Sequence, residues 1–125
     1  MNGTILVADD ETVVRSMLVV ALEAAGYRVL AASDGQEAVD LYRDHADEIM
    51  VSLLDLTMPR MGGDEAFREI VRIRPQAQVL LSSGFTASET LRGPGGERPA
   101  GFVQKPYRVS ELVSTLSQLL HPGIQ

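Results

Sequence analysis

Asp9, Asp10, Asp55, Ser83 and Lys105 each follow a short apolar run and precede turn-forming residues. The runs are Ile5-Leu6-Val7-Ala8, Val51-Ser52-Leu53-Leu54, Val79-Leu80-Leu81-Ser82 and Gly101-Phe102-Val103-Gln104. Taken singly, an aspartate in such a place is an ordinary turn or helix cap, and a lysine an ordinary exposed cation. At the ends of four separate runs they form a set. Carboxylates gathered in one place repel one another and would hold a hard divalent cation. Mg²⁺ takes about six oxygen ligands, often one or two carboxylates completed by water, carbonyl and phosphate. A lysine beside them offsets remaining charge and can grip a phosphoryl oxygen. A serine hydroxyl can donate to another. These are the parts of a phosphoryl-transfer site, where positioning and charge neutralisation do most of the catalysis. Asp55 is then the nucleophile that would form an acyl phosphate.

Short apolar runs bounded by turn residues fit the buried strands of a parallel sheet, and open α/β sheets bind ligands at the carboxyl ends of their strands. A second strand is expected over Arg28 to Ala32, and the third over Ile49 to Leu54. Helices fill the gaps. Val14, Met17, Leu18, Ala21, Leu22 and Ala25 recur at helical spacing from Thr12 to the stop at Gly26. Ser33-Asp34-Gly35 is a turn and cap, with Glu37 placed to support a second helix whose apolar face carries Ala38, Leu41 and Tyr42. A third helix follows Gly63 and runs to Arg74 with Phe67, Ile70 and Val71 inward, its acids early and its cations late. Thr86 to Arg92 is a short fourth helix, Gly93 to Pro99 an internal loop, and Arg108 to Leu120 a last helix with Leu112, Val113, Leu116, Leu119 and Leu120 inward. Five strands alternating with five helices imply an α/β, doubly wound parallel sheet covered on both faces. The alternation alone leaves the strand order open.

The chain has 125 residues and a formal net charge of −6. That length suits a single domain over residues 1–125. No block of cations offers a direct nucleic-acid surface. There is no cysteine, so neither a disulfide nor a thiolate metal site. No apolar stretch is long enough to span a membrane, and the N-terminus lacks the regions of a signal peptide, so the expected location is the cytoplasm. His45 and His121 are expected at the surface, Met58 and Met61 in packing roles.

The chain resembles the response-regulator receiver domains (CheY-like) of two-component phosphorelay signalling. The resemblance rests on Asp9-Asp10, Asp55-x-x-Met58-Pro59-x-x-x-Gly63, Ser83-Gly84, Lys105-Pro106 and Asp34-Gly35-x-Glu37-Ala38, and covers roughly Thr4 to Leu120. It implies a flavodoxin-like (βα)5 fold with strand order 2-1-3-4-5. It also implies roles. Asp55 would be the phosphoacceptor. Mg²⁺ would be held by Asp10, Asp55 and the backbone carbonyl of Thr57, with Asp9 acting through water. Lys105 would bind the phosphoryl group, behind a cis Lys105–Pro106 bond. Ser83 would move toward it, with Phe102 as the switch aromatic. The donor would be a histidine kinase or a histidine phosphotransfer protein. The responsive face, and a route to a homodimer, would be the fourth helix, fifth strand and fifth helix. Gly101 to Tyr107 with the final helix resembles receivers at the end of hybrid histidine kinases, and with Gly123-Ile124-Gln125 last no output domain is expected to follow.

Two departures and two rivals bear on this reading. Phe102 has no hydroxyl, so a switch through a tyrosine hydrogen bond is excluded; the Gly/Pro-rich stretch before the fifth strand weakens the fourth helix. An Asp-nucleophile phosphatase of the haloacid-dehalogenase type would usually carry a second aspartate where Thr57 stands, plus a cap insertion. A receiver used only for docking would have lost an acidic residue or the lysine, and none is lost. Thr57 and Phe85 occupy the two positions that border the path of the attacking water in this family. Phe85 offers that water no hydrogen bond, so the resemblance implies a long-lived phosphoryl group. Water positioning contributes about 10²–10⁴-fold in rate. Phosphorylated protein carrying Thr57→Asn with Phe85→Glu should therefore decay much faster than wild type. Equal decay in a chase experiment would show that neither position governs water access.

Overall fold

A computed structural model describes residues 3–84 and 91–121. The elements are β1 (Thr4–Ala8), α1 (Thr12–Ala24), β2 (Arg28–Ala32), α2 (Gly35–His45), β3 (Ile49–Asp55), α3 (Gly63–Ile73), β4 (Val79–Ser83), β5 (Gly101–Gln104) and α4 (Val109–Leu120). All neighbouring strands pair in parallel, in the order β2-β1-β3-β4-β5. Among the described residues there are four helices. Thr86 to Thr90 of the expected fourth helix lie outside the described residues, and Leu91 and Arg92 are not helical.

The apolar runs are continuous because both faces of the sheet are covered. Along β1, Ile5 and Val7 point to one face and Leu6 and Ala8 to the other. Leu80 joins the first set and Val79 and Leu81 the second. One layer packs Leu18 and Leu22 of α1 with Leu112 and Leu116 of α4. The other packs Ala38 and Tyr42 of α2 with Phe67, Ile70 and Val71 of α3. Met58 is buried in this second layer and Met61 packs against it. Met17 departs from its expected place. It is 52% exposed, beside Val13 and Val20, so the apolar stripe of α1 is wider than the part the sheet covers. His45 is partly covered and lies 3.2 Å from Glu48 through Nδ1.

Local chemistry fixes the turns at the carboxyl edge. Asp34 caps α2 by accepting the Glu37 amide at 2.8 Å, and the Glu37 carboxylate accepts the Ser33 amide at 2.7 Å. This reciprocal pair satisfies backbone donors that the first turn leaves open. The stretch Gly93 to Pro99 is loose by composition yet folds into a turn. The Gly93 amide donates to the Glu97 carbonyl at 2.8 Å, and the Gly95 amide to the Glu97 carboxylate at 2.9 Å. Leu91, just before it, packs on the α2–α3 layer. The Lys105–Pro106 peptide bond is cis.

After β3 the chain turns back so tightly that α3 begins against the strand it has just left. The Gly63 amide donates to the Leu56 carbonyl at 3.1 Å. A Cβ on Gly63 would lie 2.4 Å from the Asp55 carbonyl oxygen, which is backbone and cannot swing aside. Gly63→Ala should therefore cost about 1–3 kcal/mol of stability, the usual penalty for overfilling a packed site. Urea denaturation measures it; a variant as stable as wild type would show that the turn can yield.

Candidate functional site

Strand register assembles the site. Ala8 pairs with Leu54, so the next residues, Asp9 and Asp55, leave the sheet side by side. Asp55 pairs with Ser82, and Ser83 pairs with Gln104, which brings Lys105 to the same edge. The Lys105 amide donates to the Ser83 carbonyl at 2.7 Å, fixing the point where β5 ends.

The Lys105 ammonium is the centre. Nζ donates to Asp9 Oδ2 at 2.9 Å, Glu11 Oε1 at 3.2 Å and Asp55 Oδ2 at 3.2 Å. A lysine has three N–H donors, and all are engaged. The remaining oxygens of the two aspartates are also held: Asp9 Oδ1 accepts the Glu11 amide at 2.9 Å, and Asp55 Oδ1 accepts the Thr57 amide at 3.3 Å. Arg15 donates to the Asp9 carbonyl at 2.7 Å. Asp9 and Asp55 are buried, while Glu11 is exposed.

The charges do not balance. Three carboxylates share one ammonium, which leaves a net charge of −2 when all are ionised. Burial raises the Asp55 carboxyl above its ordinary value, the bond to Lys105 pulls the other way, and the Asp9 charge adds to the rise. For Lys105 burial works against the cation, but hydrogen bonds to Asp9 and Asp55 outweigh it and hold the ammonium well above its ordinary value. The difference follows from the ratio, since the cation has several partners and each carboxylate has a share of one.

One oxygen from each of Asp9, Glu11 and Asp55 lies within 4.8 Å of the others. Oxygens on opposite sides of Mg²⁺ stand about 4.2 Å apart, twice the usual bond length. The donor set is all oxygen and under-neutralised, so these residues fit a small hard dication once the Lys105 ammonium withdraws from between them. The residues of this edge also border a cleft of about 490 Å³, lined by Glu11, Lys105, Tyr107 and Gly84 together with Val14 and Met17 of α1. The Tyr107 hydroxyl is buried and has no hydrogen-bond partner among the described residues. Burial, with the nearby Asp9 charge adding, pushes this phenol up to about 12.

Residues 5–117 match the response regulator receiver domain family. The chain belongs to that family. Chemotaxis protein CheY of Thermotoga maritima is 31% identical over 120 residues, covering 95% of this chain and 98% of its own length. Response regulator receiver protein CpdR of Brucella abortus is 31% identical, covering 93% of this chain and 95% of its own length. Sensor kinase CckA of Brucella abortus is 29% identical across 95% of this chain, which spans only 13% of that kinase. The crystal structure of a receiver domain protein from Clostridium thermocellum superposes with a TM-score of 0.83 at 27% identity, covering 94% of each chain. The protein is thus a receiver domain of two-component signalling. Among its described residues, no helix is long and apolar enough to cross a membrane.

The receiver fold brings Asp9, Asp55 and Lys105 together as expected from their strand ends. Ser83 is buried at the end of β4, and Thr57 is exposed with its amide on Asp55. Phe102 is partly buried against the α2–α3 layer. Phe85 lies outside the described residues. Asp10 is exposed and stands apart from the acidic group, while Glu11, which sequence reasoning passed over, joins it. Asp10 stands at a bend, and Glu11, extended with φ −81° and ψ 110° where it leads into α1, joins the group; nothing in the sequence marks that bend.

Because burial and charge crowding raise the Asp55 carboxyl, its ionised form costs the native state stability at neutral pH. Asp55→Asn should melt higher than wild type in chelator at pH 7. The gap should close as pH falls through the raised Asp55 value and the wild-type group takes up its proton. Added Mg²⁺ should stabilise wild type more than the variant. Calorimetry that finds the variant less stable at pH 7 would mean that the Lys105 bond outweighs the crowding.

Proposed function

We propose that Asp55 accepts a phosphoryl group from a phosphohistidine, on a histidine kinase or a histidine phosphotransfer protein, with Mg²⁺ as cofactor. The observation that supports this most is the Lys105 ammonium shared by three strand-end carboxylates with charge left over. In the transfer, an Asp55 carboxylate oxygen bonds to phosphorus as the imidazole N–P bond breaks, and the freed imidazole nitrogen takes a proton from solvent. When bound, Mg²⁺ would offset the negative charge of the phosphoryl oxygens. Family resemblance assigns its ligands to Asp10, Asp55 and the Thr57 carbonyl, with Asp9 through water. Glu11 is an additional donor on the strength of its position beside Asp9 and Asp55. Lys105 would exchange carboxylate oxygens for a phosphoryl oxygen, and the Ser83 hydroxyl would donate to another. The new group carries about −1.5 to −2 charge at neutral pH.

Met17, which lies in an exposed stripe of α1 with Val13 and Val20, lines the cleft that leads to Lys105, and the stripe suits an apolar helix carrying the donor histidine. Downstream, Phe102 would pack inward as Ser83 shifts, altering the face around β5 and α4 that would meet an output partner or a second copy. Such a protein acts as a cytoplasmic switch and catalyses only its own phosphorylation and slow dephosphorylation. Similarity to CheY and CpdR over nearly their whole length fits a stand-alone regulator, and similarity to a segment of CckA fits a hybrid kinase.

Incubation with a small phosphodonor and Mg²⁺ should add one phosphoryl group to Asp55, and Asp10→Ala should lose both Mg²⁺ binding and most of the labelling. Undiminished labelling of Asp10→Ala would remove that residue from the metal set. Turnover of the donor without stable labelling of Asp55 would favour the phosphatase reading.

A further inference from the structure

The loop that carries Thr57 is tied down at its far end as well as at Asp55. Arg60 has φ 64°, in the left-handed region that a residue with a Cβ seldom occupies. Its guanidinium reaches back to the β2–α2 turn. Nε donates to Asp34 Oδ2 at 3.1 Å, and an Nη of the same group donates to the same oxygen. The Asp34 side chain is 3% exposed, whereas that of Arg60 is 74% exposed. One residue further on, the Gly35 amide donates to the Met61 carbonyl at 3.0 Å. A Cβ on Gly35 would lie 2.1 Å from that carbonyl oxygen, so the two turns can approach this closely only with glycine there. Two contacts on consecutive residues therefore clamp the β3–α3 loop to the β2–α2 turn. At the other end of the loop, the Thr57 amide donates to Asp55 Oδ1.

We infer that the Asp34–Arg60 ion pair is a positioning device for the phosphoacceptor. It holds the β3–α3 loop in the one conformation that keeps the Thr57 amide on Asp55, and so orients the carboxylate that attacks phosphorus. Neither residue touches the reacting atoms. The inference rests on Asp55 being the phosphoacceptor. Capping alone would account for the contact between Asp34 and Glu37, but it gives Arg60 no task and leaves its left-handed backbone without an offsetting contact. An ion pair to a buried carboxylate supplies that contact.

Arg60 can be changed in two ways that separate backbone from charge. Arg60→Ala removes the ion pair and keeps the left-handed cost. Arg60→Gly removes the ion pair and the cost together. Labelling of Asp55 by a small phosphodonor should be roughly tenfold slower in Arg60→Ala, equivalent to about 1.4 kcal/mol in barrier, and less impaired in Arg60→Gly. The amide resonance of Thr57 should shift in both, and most in Arg60→Ala. Asp34→Asn should give the same slowing, and the Asp34→Asn, Arg60→Ala pair no more than the slower single variant, since both act through one contact. Wild-type rates and an unmoved Thr57 resonance in Arg60→Ala would overturn the inference. So would additive losses in the double variant. Should wild type itself take up no phosphoryl group, the proposed function fails, and the Thr57 resonance still tests the clamp.

Discussion

The rest of the site depends on one ammonium placed among three carboxylates. Lys105 makes it possible for Asp9 and Asp55 to be buried and ionised at the same strand edge, because unpaired carboxylates would be too costly there. The neutralisation is incomplete by design of the ratio. A second fixed cation at Lys105's side would leave less charge for an incoming dication, and with no cation the buried carboxylates would stand unpaired. Holding the excess at about two charges leaves an edge that is stable enough to form and still attractive to a dication.

That arrangement is only as good as the sheet beneath it. Asp9, Asp55 and Lys105 are far apart in the chain and meet because three strands end at matching registers. A slip of one residue along any of these strands would turn its terminal side chain to the opposite face. Covering both faces with helices makes most strand residues between the edges apolar, with buried Ser52 and Ser82 as exceptions, and this pins the register by burial rather than by the charges themselves. The carboxyl edge can therefore carry repelling groups at little risk to the fold.

Most of this architecture was legible in the sequence. Apolar runs, stop signals and caps gave the strands and helices nearly to the residue, and each catalytic candidate stood at a strand end. The strand order was not legible, because alternation constrains connection and handedness but not which strands are neighbours; it came from family resemblance. That Glu11 also lies beside Lys105 depends on how the backbone turns at Asp10 after β1, which composition does not disclose. The wide apolar stripe of α1 hid its exposed residues, since periodicity marks which residues share a face and not how much of it is covered. The clamp was the least legible part. Asp34 reads as a cap and Arg60 as a surface cation, and nothing local says that they meet across two different loops.

The two ion clusters at this edge differ in ratio, and the difference separates their roles. Asp34 is matched one to one with Arg60 and holds the Glu37 amide as well. The Glu37 amide lowers its carboxyl below the ordinary value despite burial, and Arg60 lowers it further. A group satisfied in this way has no use for a further ion and favours a single geometry. Asp55 has a raised carboxyl and a shared cation, so it responds to whatever positive charge arrives. The chain between them is short: Thr57 touches the responsive cluster and Arg60 the satisfied one. A loop anchored to a fixed point at one end can transmit the state of the other end, whereas a loop free at both ends would absorb it. If the Asp34–Arg60 pair positions Asp55 as inferred, it supplies the fixed point against which the responsive cluster acts.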